Sequence, residues 1–335
     1  MTDTRIERAR AALWGLAIGD ALGMPTQMMS HGEVSATFGD FDGFRPAGPE
    51  HPIAANMAAG SVTDDTEQAI VLARELITGA GHVNPRRLAK ALVAWEDDMR
   101  ERGSLDLLGP STKAALDAVI RGESLETAGR YGATNGAAMR IAPVGISIGA
   151  TNLAALVDRV VEASFVTHNT GVAIAGASAV AAAISAGIDG ASVREATDIG
   201  VAAATLGEAR GYWVAAASVP RRIEWAVSLA DPDDPDGSVQ RIRELVGTSL
   251  ATQESVPAAL GILAVFPDDP WSTCLAAARQ GGDSDTIAAI AGAISGACHG
   301  IHGFPTEAVR TVRTVNRDLD LDEIADALLT LRGET

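Results

Sequence analysis

Two short acidic motifs, more than two hundred residues apart, hold the side chains best suited to chemistry. The first is Thr-Asp-Asp-Thr at residues 63–66, and the second is Asp-Ser-Asp-Thr at residues 283–286, which follows two glycines. Each stands where a helical pattern begins, so a helix cap accounts for one acid of each motif. A cap does not account for paired acids, which repel one another and whose oxygen atoms suit Mg²⁺, Mn²⁺ or Ca²⁺. We therefore predict that the two motifs meet in space and share a binuclear metal site of the hydrolytic type.

Three further segments bear on ligand binding. Residues 131–140 are predicted to be a small-residue loop whose exposed amides wrap a ribose or a diphosphate, although an ordinary turn before a helix has the same composition. His168 falls between two predicted helices, where it is either structural or a hydrogen-bond partner for a sugar hydroxyl or a phosphate. Residues 30–60 are rich in Gly and Pro without a sustained period, which predicts either a lid or plain surface disorder.

Composition narrows the class of protein. The formal net charge of −17 argues against nucleic-acid partners, because such a surface repels a phosphate backbone. Residues 1–10 mix acids and bases without an apolar run, so no signal peptide is predicted and a cytoplasmic location is expected. Residues 171–187 have the length of a marginal membrane span but consist mostly of Ala and Gly, which favours a buried core helix and no membrane. Cys274 and Cys298 are predicted to be small buried hydrophobic residues.

The helical period dominates the chain, and no run of alternating β-branched residues interrupts it. Asn84 and Ser111 are predicted N-caps, and residues 231–237 are predicted to be a short surface loop. We therefore predict an all-α fold of roughly a dozen helices in a single domain that spans residues 1–335. The predicted helices lie near residues 6–17, 67–77, 85–99, 113–121, 152–167, 171–188, 193–206, 220–229, 239–245, 256–265, 272–279, 285–301, 307–315 and 322–331.

The chain resembles the ADP-ribosylglycohydrolase superfamily, which includes dinitrogenase reductase-activating glycohydrolase and the eukaryotic ADP-ribosylhydrolases. The resemblance covers residues 5–330 and rests on five motifs in order. They are Gly-Leu-Ala-Ile-Gly-Asp-Ala-Leu-Gly-Met-Pro at 15–25, Thr-Asp-Asp-Thr at 63–66, Asn-Gly-Ala-Ala-Met-Arg at 135–140, Thr-His at 167–168 and Gly-Gly-Asp-Ser-Asp-Thr at 281–286. Leu-Gly-Pro-Ser-Thr-Lys at 108–113 and Glu-Ser-Val-Pro at 254–257 look most like a bacterial branch linked to nucleoside or sugar metabolism.

The resemblance implies an orthogonal helical bundle with two Mg²⁺ or Mn²⁺ ions at its centre. The implied metal ligands are Thr63, Asp64, Asp65, Asp283, Asp285 and Thr286, with Asp65 or Asp285 bridging the ions. The ribose and phosphate groups of the substrate would be held by Gly132, Ala133, Thr134, Asn135, Gly136 and His168.

Position 27 departs from the family pattern. Many members carry a Glu there that contacts a metal and handles a proton, whereas this chain has Gln27. A Gln amide oxygen can bind a metal or a hydroxyl but cannot act as a general base at neutral pH. Proton transfer therefore falls either to a water activated by the two metal ions or to an acid such as Asp64 or Asp65.

Three functions follow from these residues. The first is hydrolysis of the glycosidic bond at the anomeric carbon of ADP-ribose conjugates, on protein or small molecules, through an oxocarbenium-like transition state. The second is hydrolysis of a nucleoside or a related N-glycoside. The third is ADP-ribose binding without catalysis, because of Gln27. In each case the partner is a small molecule or an ADP-ribosylated protein, and the chain is expected to be a monomer.

Overall fold

The computed structural model describes residues 3–104 and 108–332, and this part of the chain is helical without a β-strand. Two isolated β-bridges, Thr134 to Ala251 and Thr170 to Tyr212, join loops. Met1 and Thr2, which belong to the segment predicted to carry no signal peptide, lie outside the described residues. The α-helices are α1 Asp3–Gly23, α2 His31–Phe38, α3 Asp64–Thr78, α4 Pro85–Glu101, α5 Pro110–Ile120, α6 Leu125–Ala128, α7 Gly136–Met139, α8 Ala142–Ser147, α9 Leu153–Ser164, α10 Gly171–Ile188, α11 Val193–Glu208, α12 Val219–Ser228, α13 Pro235–Arg241, α14 Thr252–Val265, α15 Pro270–Ala278, α16 Ser284–His299, α17 Thr306–Val315 and α18 Leu321–Leu331. A π-helical segment, Ile242–Val246, follows α13, and a 3-10 turn, Ile301–Gly303, follows α16.

Helix α10 lies at the centre of the fold. All eighteen of its residues are buried, and it packs against α7, α8, α9, α11, α12, α14 and α16. Its length and hydropathy would let it cross a membrane, but the whole helix lies inside the protein. Its many Ala and Gly residues permit close packing on every side. The predicted buried core helix is confirmed, and both cysteines are buried and free, as predicted.

Glycines allow α1 and α16 to approach at backbone distance. A Cβ atom added at Gly19 would lie 2.0 Å from the carbonyl oxygen of Ala288, and one added at Gly23 would lie 2.4 Å from Asp285 Cα. Residues four apart lie on one face of a helix, so these glycines form a single stripe along α1. The stripe seats the carboxyl end of α1 against the first turn of α16, where the second acidic motif lies.

Gly19→Ala is expected to destabilise the fold by about 2 kcal/mol, because the added methyl group would overlap the backbone of Ala288 and force the two helices apart. Thermal unfolding of the purified protein measures the effect. Gly43→Ala is the matched control, since a Cβ atom at Gly43 meets nothing within 4 Å. Equal melting temperatures for the two variants would contradict this account of the helix pair.

The predicted number of helices, roughly a dozen, is wrong, because eighteen α-helices lie in the described residues. The helices that sequence reasoning missed are α2, α6, α7 and α8, which have four to eight residues each. A period of 3.6 residues becomes visible only over about 11 residues or more, so these helices leave no periodic signal.

One of the two predicted helix caps is confirmed and the other is wrong. Asn84 caps α4 by accepting hydrogen bonds from the backbone N–H groups of Arg86 and Arg87, as predicted. The prediction for Ser111 is wrong, because α5 begins at Pro110, so that Ser111 lies inside the helix, and no side chain caps it. The predicted loop at residues 231–237 is also shorter than expected, since α13 begins inside it at Pro235.

Residues 30–60 are more ordered than the sequence suggested. Helix α2 lies in this segment and has a reciprocal capping box between Ser30 and Glu33. Further along, the Nε2 atom of His51 lies 3.0 Å from the carbonyl oxygen of Gln27, and its Nδ1 atom accepts from the backbone N–H of Ala54 at 2.9 Å. The contact of His51 with Gln27 joins the segment to the residues that follow α1. The proposed lid movement stays a prediction.

Candidate active site

A cavity of about 290 Å³ collects side chains from both acidic motifs. Its acidic part consists of Asp64, Asp65, Asp283 and Asp285 together with Thr286. Its apolar part consists of Met28, Ile53, Leu108, Pro110, Met139 and Leu250. The motifs also touch directly, since Thr286 Oγ1 donates a hydrogen bond of 3.2 Å to Asp65 Oδ2. The volume is at the lower end of the range for small-molecule sites, about 300–1,000 Å³.

Both motifs lie at helix N-termini. Helix α3 begins at Asp64, directly after its N-cap Thr63, and α16 begins at Ser284, directly after Asp283. The exposed N–H groups and the positive end of the helix dipole favour negative charge at such positions. The two helix ends therefore offset part of the repulsion among the four acids.

The glycines before the second motif permit three segments to converge. Gly282 has a φ of +69°, and a Cβ atom there would lie 2.4 Å from the carbonyl oxygen of Thr248. Three backbone hydrogen bonds join these segments. They run from Asp283 N to Thr248 O, from Met28 N to Gly282 O and from Gly282 N to Met29 O. Gly282 therefore lets the backbone before α16 pack closely against Thr248.

Asp20 lies buried beneath the first motif and holds it in place. Its carboxylate accepts hydrogen bonds from the backbone N–H and the hydroxyl of Thr63, and from the same two groups of Thr66. The distances range from 2.5 to 3.2 Å. Burial raises the pKa of Asp20 to about 6, against the lowering effect of these bonds. Asp20 thus orients the first turn of α3 from behind, without itself lining the cavity.

Burial and mutual repulsion dominate the electrostatics of the acids. Burial raises the pKa of Asp65 well above its usual value, and the negative charges of neighbouring acids, Asp285 first, raise it further. Burial also raises the pKa of Asp283 to about 6, although hydrogen bonds from Asn135 and Thr286 act in the opposite direction. Such a cluster is costly when every carboxylate is ionised, unless a cation compensates the charge.

The donor set fits a hard divalent cation. Asp65 Oδ1 is buried, and none of the described residues donates a hydrogen bond to it. The neighbouring donors are all carboxylate, hydroxyl or amide oxygens, which suit Mg²⁺ and Mn²⁺. Within residues 3–104 and 108–332, no group of three His, Cys, Asp or Glu side chains is arranged so that it could hold a metal ion. Binding would therefore draw the carboxylates inward or also use hydroxyl, amide and water oxygens.

Asp20→Asn is expected to lower the affinity for Mn²⁺ by about 10- to 100-fold, because the amide nitrogen would face a donor of Thr63 or Thr66 and release the first turn of α3. Calorimetric titration of the metal-free protein with Mn²⁺ measures this. Asp98→Asn, an exposed substitution on α4, is the control and should bind Mn²⁺ as the wild type does. Unchanged affinity in Asp20→Asn would show that Asp20 does not position the motif.

A buried arginine compensates the acids from within the fold. Arg140 donates 2.6 Å hydrogen bonds from Nη1 to Gln68 Oε1 and from Nη2 to Thr167 Oγ1. Gln68 Nε2 in turn donates to Asp64 Oδ2 at 2.7 Å. Burial lowers the pKa of Arg140 to about 10, and the charges of Asp64 and Asp65 act in the opposite direction. The guanidinium therefore stays charged at neutral pH and connects Gln68, which donates to Asp64, with Thr167.

The predicted substrate residues divide into two groups. Thr134, Asn135 and Gly136 line the cavity. Gly132, Ala133 and His168 do not, and the ring of His168 is completely buried. The predicted loop extends only over residues 131–135, because the short helix α7 begins at Gly136, and residues 135–140 are buried. Their assigned roles in substrate binding stay predictions.

The predicted metal and proton-transfer residues can be placed in the same way. Five of the six predicted metal ligands line the cavity, and the sixth, Thr63, is buried with its hydroxyl directed to Asp20. Gln27 also lines the cavity, and none of the described residues pairs with its buried Nε2 atom. Its amide is therefore available to a ligand.

Sequence reasoning missed three residues that support the site. Asp20 and Arg140 lie inside quoted motifs, Gly-Asp-Ala-Leu-Gly and Asn-Gly-Ala-Ala-Met-Arg, but no role could be read from the motifs alone. Gln68 lies four residues after Asp64 on α3, which places both on one helix face. That spacing was the only available signal, and it does not specify a partner.

Comparisons with known proteins identify the family. The sequence model of the ADP-ribosylglycohydrolase family matches residues 1–335. The uncharacterized protein YegU of Escherichia coli (strain K12) is 33% identical over 331 residues, which cover 98% of each chain. ADP-ribosylarginine hydrolase Tri1 of Pseudomonas putida (strain GB-1) is 28% identical over 313 residues, 92% of this chain and 74% of Tri1. A solved structure described as an ADP-ribosylglycohydrolase-related protein complex superposes with a TM-score of 0.73 at 25% identity, over 98% of this chain and 99% of that one.

The chain therefore belongs to the ADP-ribosylglycohydrolase family and is an enzyme, a glycoside hydrolase. The all-helical fold predicted from the sequence is confirmed, and so is the family resemblance. The binuclear metal site stays a prediction.

Proposed function

We propose that this enzyme hydrolyses the glycosidic bond at the anomeric carbon of ribose in ADP-ribose conjugates and depends on two Mg²⁺ or Mn²⁺ ions. The supporting observation is the single cavity in which both acidic motifs meet, with Thr286 hydrogen-bonded to Asp65 across the junction. The relative Tri1 is by name an ADP-ribosylarginine hydrolase, which agrees with this class of substrate.

The proposed ligands are oxygens of the two motifs. Asp64 and Asp65 would bind from α3, and Asp283, Asp285 and Thr286 from α16. Divalent ions in such a site make a nearby water more acidic and stabilise developing charge. Thr63, which does not line the cavity, keeps the turn of Asp64 and Asp65 in place through Asp20.

The remaining steps fall to side chains that line the cavity. Carboxylates close to the anomeric carbon stabilise the positive charge of an oxocarbenium-like transition state. Asp64 or Asp65 can accept a proton at a carboxylate oxygen, whereas the Gln27 amide can orient a water or a hydroxyl but cannot take the proton. The apolar residues around the cavity keep bulk water away from the reacting bond.

A nucleoside or related N-glycoside is the second candidate substrate, and one observation favours it. No Lys or Arg side chain belongs to the described lining of the cavity, and six apolar residues do. A diphosphate would have to be held by backbone amides or ions, whereas a neutral base and ribose need neither.

A substrate panel tests the proposed function. The enzyme is freed of metal with a chelator, reconstituted with Mg²⁺ or Mn²⁺, and assayed on an ADP-ribosyl-arginine peptide, an ADP-ribosyl-serine peptide and a set of nucleosides. We expect metal-dependent release of ADP-ribose from a conjugate. Turnover of nucleosides alone would establish the second candidate, and tight ADP-ribose binding without turnover would mark a binding protein. Gln27→Glu should raise a slow rate at least about tenfold if residue 27 limits proton transfer.

A further inference from the structure

A continuous series of hydrogen-bonded side chains, buried except at its two half-buried ends, joins the acids to the predicted ligand-binding segment. It runs from Asp64 through Gln68, Arg140, Thr167 and His168 to Thr134, and each neighbouring pair is hydrogen-bonded. The four members between the ends do not line the cavity, while Asp64 and Thr134 both do. This series of hydrogen bonds therefore begins at a carboxylate that lines the cavity and ends at a hydroxyl that also lines it.

The direction of each hydrogen bond follows from what the groups can donate. Arg140 has only donors, so Gln68 must turn its amide oxygen toward Arg140 and its NH₂ group toward Asp64. The other side of the guanidinium donates to Thr167 Oγ1 at 2.6 Å and faces His168 Nδ1 at 3.3 Å. Two donors cannot face one another, so His168 Nδ1 carries a lone pair and no proton.

The tautomer of His168 follows. Because the Thr167 hydroxyl accepts from Arg140 and donates to Nδ1 at 2.9 Å, the ring proton of the neutral imidazole must lie on Nε2. Burial and the charge of Arg140 hold the pKa of His168 well below its usual value, which agrees with a neutral ring. Nε2 lies 3.0 Å from Thr134 Oγ1, so the ring donates and the hydroxyl accepts.

The Thr134 hydroxyl accepts in this hydrogen bond, so its own proton can be donated to another group. No other described side chain accepts from Thr134 Oγ1, which leaves the cavity as the direction for this proton. We propose that Thr134 is a specificity-determining residue, which donates a hydrogen bond from Oγ1 to an oxygen acceptor of the bound substrate. His168 and Arg140 are positioning residues that fix this polarity without touching the substrate. The role of Thr134 in substrate binding rests on the proposed function, whereas the direction of the hydrogen bond between His168 and Thr134 does not.

The backbone around Thr134 is held rigidly enough for such a role. The segment is paired with the loop before α14, through the bridge of Thr134 to Ala251 and a hydrogen bond of 2.9 Å from Asn135 N to Leu250 O. Behind it, a Cβ atom at Gly136 would lie 2.8 Å from the His168 ring, so only glycine leaves room for the ring. The ring and the hydroxyl are therefore placed against one another by packing as well as by their hydrogen bond.

Two pairs of variants test the role of Thr134, with binding of ADP-ribose in the presence of Mg²⁺ measured by calorimetry. Thr134→Val removes the donor and should weaken binding about five- to tenfold, whereas Thr134→Ser keeps it and should bind within about twofold of wild type. His168→Gln places an amide NH₂ near the position of Nε2 and should retain affinity. His168→Asn reaches only the position of Nδ1 and should lose as much as Thr134→Val. The double variant His168→Asn/Thr134→Val should lose no more than either single variant. Unchanged binding in Thr134→Val, or additive losses in the double variant, would overturn the proposal.

Nitrogen NMR of the wild-type protein tests the polarity without a ligand. The ring signals of His168 are assigned through scalar couplings to its own backbone in the wild-type protein and should show a proton on Nε2 and none on Nδ1 at pH 7. A proton on Nδ1, or on both nitrogens, would overturn the proposal even if the variants failed to fold. If the wild-type protein binds no ADP-ribose, the proposed function is rejected, and this tautomer alone decides whether the chain to Thr134 is correct.

Discussion

Asp65→Asn is expected to abolish turnover while raising the melting temperature of the metal-free protein. Asp65 is buried among other acids, and both burial and their negative charges disfavour its ionised form, as its raised pKa shows. A neutral amide of the same shape removes that repulsion in the absence of metal. With Mn²⁺ present the order reverses, because the amide is a poorer ligand than the carboxylate. Mutation of a residue that only hydrogen-bonds to a metal ligand lowers metal affinity or activity by about 10- to 100-fold. Loss of a ligand itself should therefore reduce turnover at least about 100-fold.

The measurement compares melting temperatures with a chelator and with Mn²⁺, followed by rates on the best substrate of the panel. Glu67→Gln is the matched control, because it removes one charge from the same turn of α3 but on the face that contacts Trp95 and Arg102. This control should keep the stabilisation by Mn²⁺ and most of the activity. An Asp65→Asn protein that still melts higher with Mn²⁺ and remains active would refute the metal-dependent account.

Arg140→Leu is expected to destabilise the protein by about 3 kcal/mol, because it leaves buried Gln68, Thr167 and His168 without their donor and the acids without a buried counter-charge. For a chain of this size that corresponds to a fall of about 6 °C in melting temperature, at about 2 °C per kcal/mol. The melting temperature of Arg140→Lys should lie between those of the wild type and Arg140→Leu, since one ammonium group cannot bond both Gln68 and Thr167 in the way a planar guanidinium does.

The control for Arg140 is Arg221→Leu, which removes an exposed arginine that pairs with Glu224 on α12. Exposed ion pairs contribute about 0–1 kcal/mol, so this variant should melt close to wild type. A loss in Arg140→Leu no larger than that of Arg221→Leu would mean that the buried network contributes little to stability.

Local patterns predicted part of this site because the relevant signals are short-range. The paired acids at helix starts, the glycines before Asp283 and the substitution at Gln27 can all be recognised from neighbours in the sequence. The loop predicted at residues 131–140 was too long, because short-range signals do not show that α7 begins inside it. A four-residue helix such as α7 has no periodic pattern, and its burial depends on α10 and α16, which the local sequence does not contain.

The residues that were missed are those whose role depends on distant partners. Asp20 acts because α1 passes beneath the start of α3, and Arg140 acts because α3 and the segment before α10 both reach it. Nothing in the sequence near either residue specifies these neighbours. A buried acid and a buried arginine are costly alone, so their presence makes sense only once their partners are known.

The sequence by itself determined the helical class, the buried helix α10, the acidic motifs and the family. These depend on periodicity and on residue types within a few positions of one another. The tertiary structure alone decided that Asp65 meets Thr286, that Thr63 turns away from the cavity, and that His168 faces Thr134 from behind. Such pairings depend on how helices cross, and a crossing is set by close contacts such as Gly19 on Ala288, between residues far apart in the chain.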